Sequence, residues 1–210
     1  MKTNHSTAVA ARRGLTIIEL LIALAITAMM GLAIGSMMTT VGSATGRDSA
    51  ERTALLRAHA GQVRLRAYMD NALSILQHDD EADAAVIWLY DHLTEDSVNL
   101  REIRLIAVAD GAITVEWVAF PENWSEAMKD AADVVLSPGA DFFATIAAQR
   151  ALGQTRTTTL LNHVEEASWA LNAPSPQNAT RARLALTLDA QGSPVEAYYA
   201  FGLKDHAFPN

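Results

Sequence analysis

The chain has 210 residues, half of them apolar and 19% charged, which suits one folded domain with an appendage rather than a disordered protein. It contains no cysteine, so disulfides, thiolate metal sites and cysteine catalysis are excluded. The formal net charge of −8 argues against nucleic acid as a partner, because phosphate binding requires clustered Lys and Arg.

The N-terminus consists of a short basic segment followed by a long apolar one. Residues 1–14 contain three basic side chains and no acid, whereas residues 15–41 contain a single charge, Glu19. A helix of residues 15–41 would be about 40 Å long, and about 20 residues cross a hydrocarbon core, so the segment is predicted to span a membrane. Positive charge before the span places residues 1–14 in the cytoplasm and the rest outside.

Two ordinary explanations of this segment account for less of it. A secretory signal peptide has an apolar core of about 7–15 residues and a small-x-small cleavage site. The run here is longer, and no convincing site follows it. A plain signal anchor explains the hydrophobicity but not Glu19, because a carboxylate in a spanning helix costs about 2.5–3.5 kcal/mol.

The junction between the two segments carries a motif. Residues 12–21 read Arg-Arg-Gly-Leu-Thr-Ile-Ile-Glu-Leu-Leu. This stretch resembles the cleavage and methylation motif of type IV prepilins and type II secretion pseudopilins. The resemblance implies that a prepilin peptidase cuts between Gly14 and Leu15 and N-methylates Leu15, so that Glu19 becomes the fifth mature residue. Leu15 departs from the phenylalanine most often found there, and the leader is long for the family.

The residue types in the motif suit the implied chemistry. Gly14 has no side chain and can enter a tight peptidase cleft in an extended form. In a filament, the resemblance implies that the α-amine of Leu15 and the Glu19 carboxylate of a neighbouring subunit neutralise each other. A buried charge is tolerated only when it is paired. Glu19 is therefore predicted to act in assembly and not in catalysis.

Residues 42–78 are predicted to continue the helix as an amphipathic segment. One largely apolar face recurs at steps of three or four residues and comprises Leu55, Ala58, Gln62, Leu65, Met69, Ala72 and Leu76. This face could pack on the protein's own sheet or contact another subunit. The resemblance implies an α+β, pilin-like fold, in which a long N-terminal helix, half transmembrane and half amphipathic, packs on an antiparallel β-sheet head.

Residues 79–210 are predicted to form a β-rich globular head with short helices near residues 124–152. The acidic turn at residues 78–83 is interpreted as a solvated loop, since it lacks the spacing and turn glycine of a calcium loop. Asp110-Gly111 between two alternating runs predicts a hairpin. Further extended runs are predicted at residues 85–90, 102–108, 113–120, 155–161, 164–171, 183–188 and 195–201. The order of the last strands resembles the heads of the J-type pseudopilin and the W-type minor pilin.

No catalytic residue, metal site or cofactor is predicted. The six histidines are scattered, and no nucleophile elbow, P-loop or dinucleotide fingerprint occurs. His163, Glu165 and Glu166 lie close together in the sequence, as the residues of a functional site could. Strand alternation is expected to divide these side chains between the two faces of the sheet.

The expected function is therefore structural: a minor subunit of a type II secretion or type IV pilus filament. It would cross the bacterial inner membrane once, with a cytoplasmic N-terminus and a periplasmic head. Expected partners are the prepilin peptidase, other pilin or pseudopilin subunits and inner-membrane lipid, with no nucleic acid. The alternatives are a membrane-anchored module that presents its head to an exported substrate or surface ligand, and a membrane-tethered enzyme.

Overall fold

The computed structural model describes residues 17–89, 97–190, 194–203 and 206–208, with only the backbone given for residues 40–48. These residues form an α+β protein with an N-terminal apolar helix and antiparallel sheets, which confirms the predicted class. The chain divides into two compact units, Met1–Gly46 and Arg47–Asn210. The second unit is called the head below.

The described residues form three α-helices, two short 3-10 helices (Leu100–Glu102 and Pro176–Asn178) and ten strands. The helices are α1 (Ile17–Met69), α2 (Glu126–Ala132) and α3 (Phe142–Ala151). The strands are β1 (Ser74–Asp79), β2 (Ala84–Trp88), β3 (Val98–Asn99), β4 (Ile103–Ala109), β5 (Ala112–Val118), β6 (Val135–Leu136), β7 (Thr155–Asn162), β8 (Val164–Leu171), β9 (Arg181–Asp189) and β10 (Pro194–Gly202).

Helix α1 ends earlier than its apolar pattern predicts. It stops at Met69 and not near His78, and a turn follows in which the Asp70 amide donates to the Arg66 carbonyl at 2.8 Å. Residues 74–79 instead form strand β1, which pairs with β2. Ile75 and Leu76 are adjacent and both buried, so the strand is covered on two faces. A short apolar run of that kind does not distinguish strand from helix by spacing alone.

The part of α1 that belongs to the head buries one narrow stripe against the sheets, as the first of the two interpretations requires. The stripe differs from the predicted one by including Ala54 and Gly61, whereas Leu55 is 50% exposed. Small residues stand where the helix approaches the strands most closely. A Cβ on Gly61 would lie 3.1 Å from the Leu161 side chain of β7. Leu65 and Met69 fill the wider space further along the helix.

The strands form a five-stranded sheet of order β1-β2-β4-β5-β7, a three-stranded sheet of order β10-β9-β8, and a two-stranded β3-β6 ribbon. The hairpin between β4 and β5 turns at Asp110 and Gly111, with φ angles of 51° and 70°. Type I′ turns require positive φ at both central residues, which asparagine, aspartate and glycine tolerate best. The predicted hairpin is therefore confirmed.

The two larger sheets share one core with α1. The chain crosses from the five-stranded to the three-stranded sheet at His163, which separates β7 from β8. The φ of His163 is 63°, and its carbonyl accepts from the Asp189 amide at 3.0 Å. On the other side of the five-stranded sheet, Phe142 and Ile146 of α3 pack on Trp88. The predicted helices near residues 124–152 are present as α2 and α3, although residues 135–136 form β6. The predicted turn at residues 191–193 lies outside the described residues.

Candidate functional site

The feature of the described chain that most needs a partner is the first part of α1. Residues Ile17–Thr39 form 23 consecutive helical residues, none of them buried within the protein. At 1.5 Å per residue this segment is about 34 Å long, enough to cross a hydrocarbon core of about 30 Å. A single helix with these properties is compatible with a one-pass membrane anchor and with a signal sequence alike.

Large apolar side chains surround this segment on every side and are all at least half exposed. They are Ile17, Ile18, Leu20, Leu21, Ile22, Leu24, Ile26, Met29, Met30, Leu32, Ile34, Met37 and Met38. Soluble monomers rarely expose a contiguous apolar surface of this extent, which marks a membrane or protein interaction site. The segment therefore requires a cover of lipid or of another protein.

The hydroxyl side chains of the segment are arranged for apolar surroundings. Thr27 donates to the Ala23 carbonyl at 2.7 Å, and Ser36 donates to the Ala33 carbonyl at 2.9 Å. Thr39 likewise donates to the Ser36 carbonyl, at 2.9 Å. A polar group without a partner in hydrocarbon costs several kcal/mol, so these bonds within the helix remove the main obstacle to burial in lipid.

Glu19 lies in the first turn of α1 as described and is the one charged residue between residues 17 and 39. Its side chain is exposed on the helix surface. A carboxylate in the first turn of a helix interacts favourably with the helix dipole. Gly14 and Leu15, the other two predicted site residues, lie outside the described residues.

The buried carboxylates of the head are held by structural partners rather than gathered in a cleft. Arg150 Nε donates to Glu116 at 2.9 Å and its Nη2 donates to the second oxygen, a bidentate pair. Burial opposes ionisation of Glu116, yet hydrogen bonds from Arg150 and Thr155 outweigh it and lower the pKa of this carboxyl. The Asp133 carboxylate accepts from the amide and the Nε of Arg101 at 2.9 and 2.6 Å.

Within the described ranges, no group of three or more histidine or acidic side chains lies close enough together to hold a metal ion. In the acidic turn, the Asp79 carboxylate accepts from the amides of Glu81 and Ala82 at 2.9 and 3.1 Å, so it is engaged in shaping the turn. A β-bulge between Val164 and Glu166 interrupts the alternation of β8. Glu165 and Glu166 are consequently both exposed, contrary to the expected split between faces.

One candidate surface was not anticipated from the sequence. Arg181 and Arg183 alternate with buried Ala182 and Leu184 along β9, which places both guanidinium-bearing residues on the exposed face of the three-stranded sheet. The alternation is visible in the sequence, but the neighbours of the two arginines across the sheet are not.

Comparisons with models of protein families, with curated proteins and with solved structures found no match to this chain. The candidate sites therefore depend on their own residues and geometry.

Proposed function

We propose that the protein is a minor pilin or pseudopilin: a subunit with a pilin-like fold that is anchored in the bacterial inner membrane and assembles into a type II secretion or type IV pilus filament. The observation that carries the proposal is the fully exposed apolar segment Ile17–Thr39 with Glu19 near its start. Residues 12–21 supply the matching processing motif, with cleavage after Gly14 and N-methylation of Leu15.

The exposed segment suits a helix that is covered first by lipid and later by other subunits. Its surface is apolar on all sides, so the helix can rotate about its own axis in a bilayer without turning a polar face towards lipid. The same side chains can afterwards pack against apolar helices of neighbouring subunits, where van der Waals contacts replace those with lipid. The partners are then the prepilin peptidase, inner-membrane lipid and other pilin or pseudopilin subunits.

Glu19 makes the transfer from lipid to filament directional. A carboxylate costs about 2.5–3.5 kcal/mol at the centre of a spanning helix and less near its end, where Glu19 lies. In the filament, the α-amine that cleavage creates at Leu15 of one subunit pairs with Glu19 of the next. Pairing removes the cost of an isolated buried charge, and it does so only in one register.

The processing step is tested by determining the N-terminus of membrane-extracted protein by mass spectrometry. The expected mature chain begins with N-methylated Leu15. Gly14→Val is expected to leave the precursor uncut because a branched side chain enters the cleft, whereas the matched variant Ala11→Val is processed normally. A mature chain that begins beyond Thr39 would instead identify a secretory signal peptide and overturn the proposal.

The assembly step is tested with Glu19→Ala and the isosteric Glu19→Gln in the native host. Both variants are expected to be cleaved and methylated but largely absent from purified filaments, because neither can pair with the amine. Ser36→Ala removes a hydroxyl that donates to the Ala33 carbonyl of its own helix and serves as the control, with normal incorporation. Incorporation of Glu19→Gln at the wild-type level would contradict the assigned role.

A second candidate function is a membrane-anchored module that presents its head to a ligand. The observation that favours it is the arginine-bearing face of the three-stranded sheet, where Arg181 and Arg183 line a trench.

A further inference from the structure

The outer face of the three-stranded sheet is open to solvent, whereas its inner face belongs to the core. Trp169, Leu184 and Phe201 point inward and are buried. On the outer side, Ala170 of β8, Arg183 of β9 and Ala200 of β10 form one row across the sheet.

A trench of about 480 Å³ runs over this part of the sheet. Next to the Arg183 row, Arg181 pairs with Gly202, and the Asn172 amide donates to the Arg181 carbonyl at 3.2 Å. Of the residues that line the trench, the charged ones are Arg181 and Arg183, and no acid is among them. Arg183 has alanine on both neighbouring strands, whereas Arg181 has Gly202 on one side and Asn172 on the other, so the residues directly beside the two arginines are small.

Gly202, the last residue of β10, leaves the trench floor without a side chain although its surroundings do not demand glycine. Its φ lies outside the left-handed region, so its backbone does not require glycine, and a Cβ there would meet no described atom within 4 Å. Such a glycine often marks a place where a ligand or another backbone approaches closely.

Arg181 and Arg183 remain open to an outside anion, although the charge of Arg183 acts on the neighbouring Tyr198 hydroxyl, where it lowers the pKa that Glu196 raises. No ion pair joins Arg181 or Arg183 to any described acidic residue, although the protein carries a net charge of −8. The end of the trench is rigidly held by Asn172, whose Oδ1 accepts from the amides of Thr180 and Arg181 at 3.0 and 2.9 Å. A rigid site loses less entropy on binding than a flexible one.

We propose that this trench binds an extended acidic segment of a partner protein that carries carboxylates on alternate residues. Arg181 and Arg183 are separated by two residues of β9, about 7 Å along the strand. Alternate residues of an extended segment repeat at the same distance, so each guanidinium group faces one carboxylate and can bind it through two hydrogen bonds. The backbone of the segment lies over Ala200 and Gly202, where side chains are small or absent.

The same face disfavours other occupants. Three strands of about nine residues offer roughly 400 Å², about half of the 800 Å² that each partner contributes to a standard protein interface, so a stable dimer through this face is not expected. Glu166 and Glu196 flank Thr187 on the outer face and would repel a nucleic acid backbone. An extended peptide avoids both problems because it occupies only the arginine end. Binding at the arginine end of the sheet requires neither the membrane anchor nor filament assembly.

The test uses the full chain in nanodiscs of zwitterionic phosphatidylcholine, titrated with fluorescent ten-residue peptides. One peptide alternates glutamate and threonine, and the other has the same composition in the order Glu-Glu-Thr-Thr-Glu-Glu-Thr-Thr-Glu-Thr, in which no two glutamates are two residues apart. The alternating peptide is expected to bind about tenfold more tightly, because only it matches the spacing of Arg181 and Arg183. Equal binding of the two peptides would show unspecific charge attraction and overturn the proposal.

Variants locate the binding on the sheet. Arg181→Gln and Arg183→Gln are each expected to weaken binding of the alternating peptide about tenfold, whereas Arg52→Gln, which removes an exposed arginine of α1, leaves it unchanged. Gly202→Val fills the trench with a side chain that favours strands. It is expected to abolish binding while the midpoint of thermal unfolding stays the same or rises.

Two results would contradict the assignment. Binding that survives Gly202→Val in a folded protein would place the peptide elsewhere. Self-association of the wild-type chain that Arg183→Gln abolishes would identify a second copy of this protein as the occupant and overturn the proposed partner.

Discussion

The two ends of helix α1 differ in where their partners are. Residues 17–39 expose every side chain, whereas residues 49–69 bury one stripe against the sheets of the head. Both stretches are helical, so local propensity does not separate them. They differ because the second stretch finds its apolar partner within the chain and the first must find it outside. Whether a helix face is buried therefore depends on the element that packs against it and not on its composition alone.

In the part of α1 that belongs to the head, the exposure of the side chains changes sharply between neighbouring positions. Ala54, Ala58 and Gly61 lie where the strands come closest, and the Tyr199 hydroxyl donates to the Ala58 carbonyl at 2.5 Å. Leu56, only two residues away from Ala58, is 71% exposed. Neighbouring positions on one helix should therefore respond very differently to the same substitution.

The largest effect is expected from truncating the buried stripe. Leu65 is 1% exposed and lies in the main core. Leu65→Ala should lower the free energy of unfolding by about 3–4 kcal/mol, through lost burial and the cavity left behind. Leu56→Ala removes the same atoms from the exposed face and should change the free energy of unfolding by less than about 0.5 kcal/mol. Denaturant unfolding of the full chain in detergent measures both, and comparable losses would refute the assignment of the buried face.

A charge introduced into each part of α1 sharpens the comparison further. Leu24 and Leu56 are both exposed, but only Leu24 lies in the apolar segment. Leu24→Lys should disfavour membrane insertion by about 3 kcal/mol, because a lysine must enter hydrocarbon. Leu56→Lys should leave insertion unchanged. Alkaline carbonate extraction of membranes distinguishes them, and retention of Leu24→Lys at the wild-type level would argue against a spanning segment.

The smallest effect concerns the contact between Tyr199 and α1. Burial raises the pKa of Tyr199 to about 12, against an ordinary value of 10. A raised pKa means that the unfolded chain loses this proton first, so the associated stability is complete below pH 10 and is lost as the pH rises towards 12. Tyr199→Phe should cost about 1 kcal/mol at neutral pH through the missing hydrogen bond.

The pH dependence identifies the residue responsible. Between pH 10 and 12, Tyr199→Phe should lose less stability than the wild type, because its side chain has no proton to release. Tyr198→Phe changes the exposed neighbour, whose pKa is also raised, by its hydrogen bond to Glu196, and because this group is exposed it should change the curve less than Tyr199→Phe does. Thermal unfolding across this range gives the answer; identical curves for all three proteins would remove Tyr199 as the titrating group.

Much of the head could be predicted from local signals. The Asp110-Gly111 turn was predictable because few residues other than glycine, asparagine and aspartate accept its two positive φ angles. Strands β4, β5, β7, β8 and β10 lie within a residue or two of their expected places, and β9 begins two residues earlier than expected. The predicted end of α1 was wrong. Ile75 and Leu76 belong to a strand that is buried on both faces, and in the sequence their positions fit one more helical turn equally well.

The sequence by itself determined the character of the N-terminal segment and the turns of the head. Both depend on chemistry confined to a few neighbouring residues: an apolar run with a single carboxylate in one case, and backbone conformations open to aspartate and glycine in the other. Only the tertiary structure decided which face of residues 49–69 is buried, and that Arg181 lies beside Gly202. Those outcomes depend on contacts between residues far apart in the chain, for which a single sequence carries no local signal.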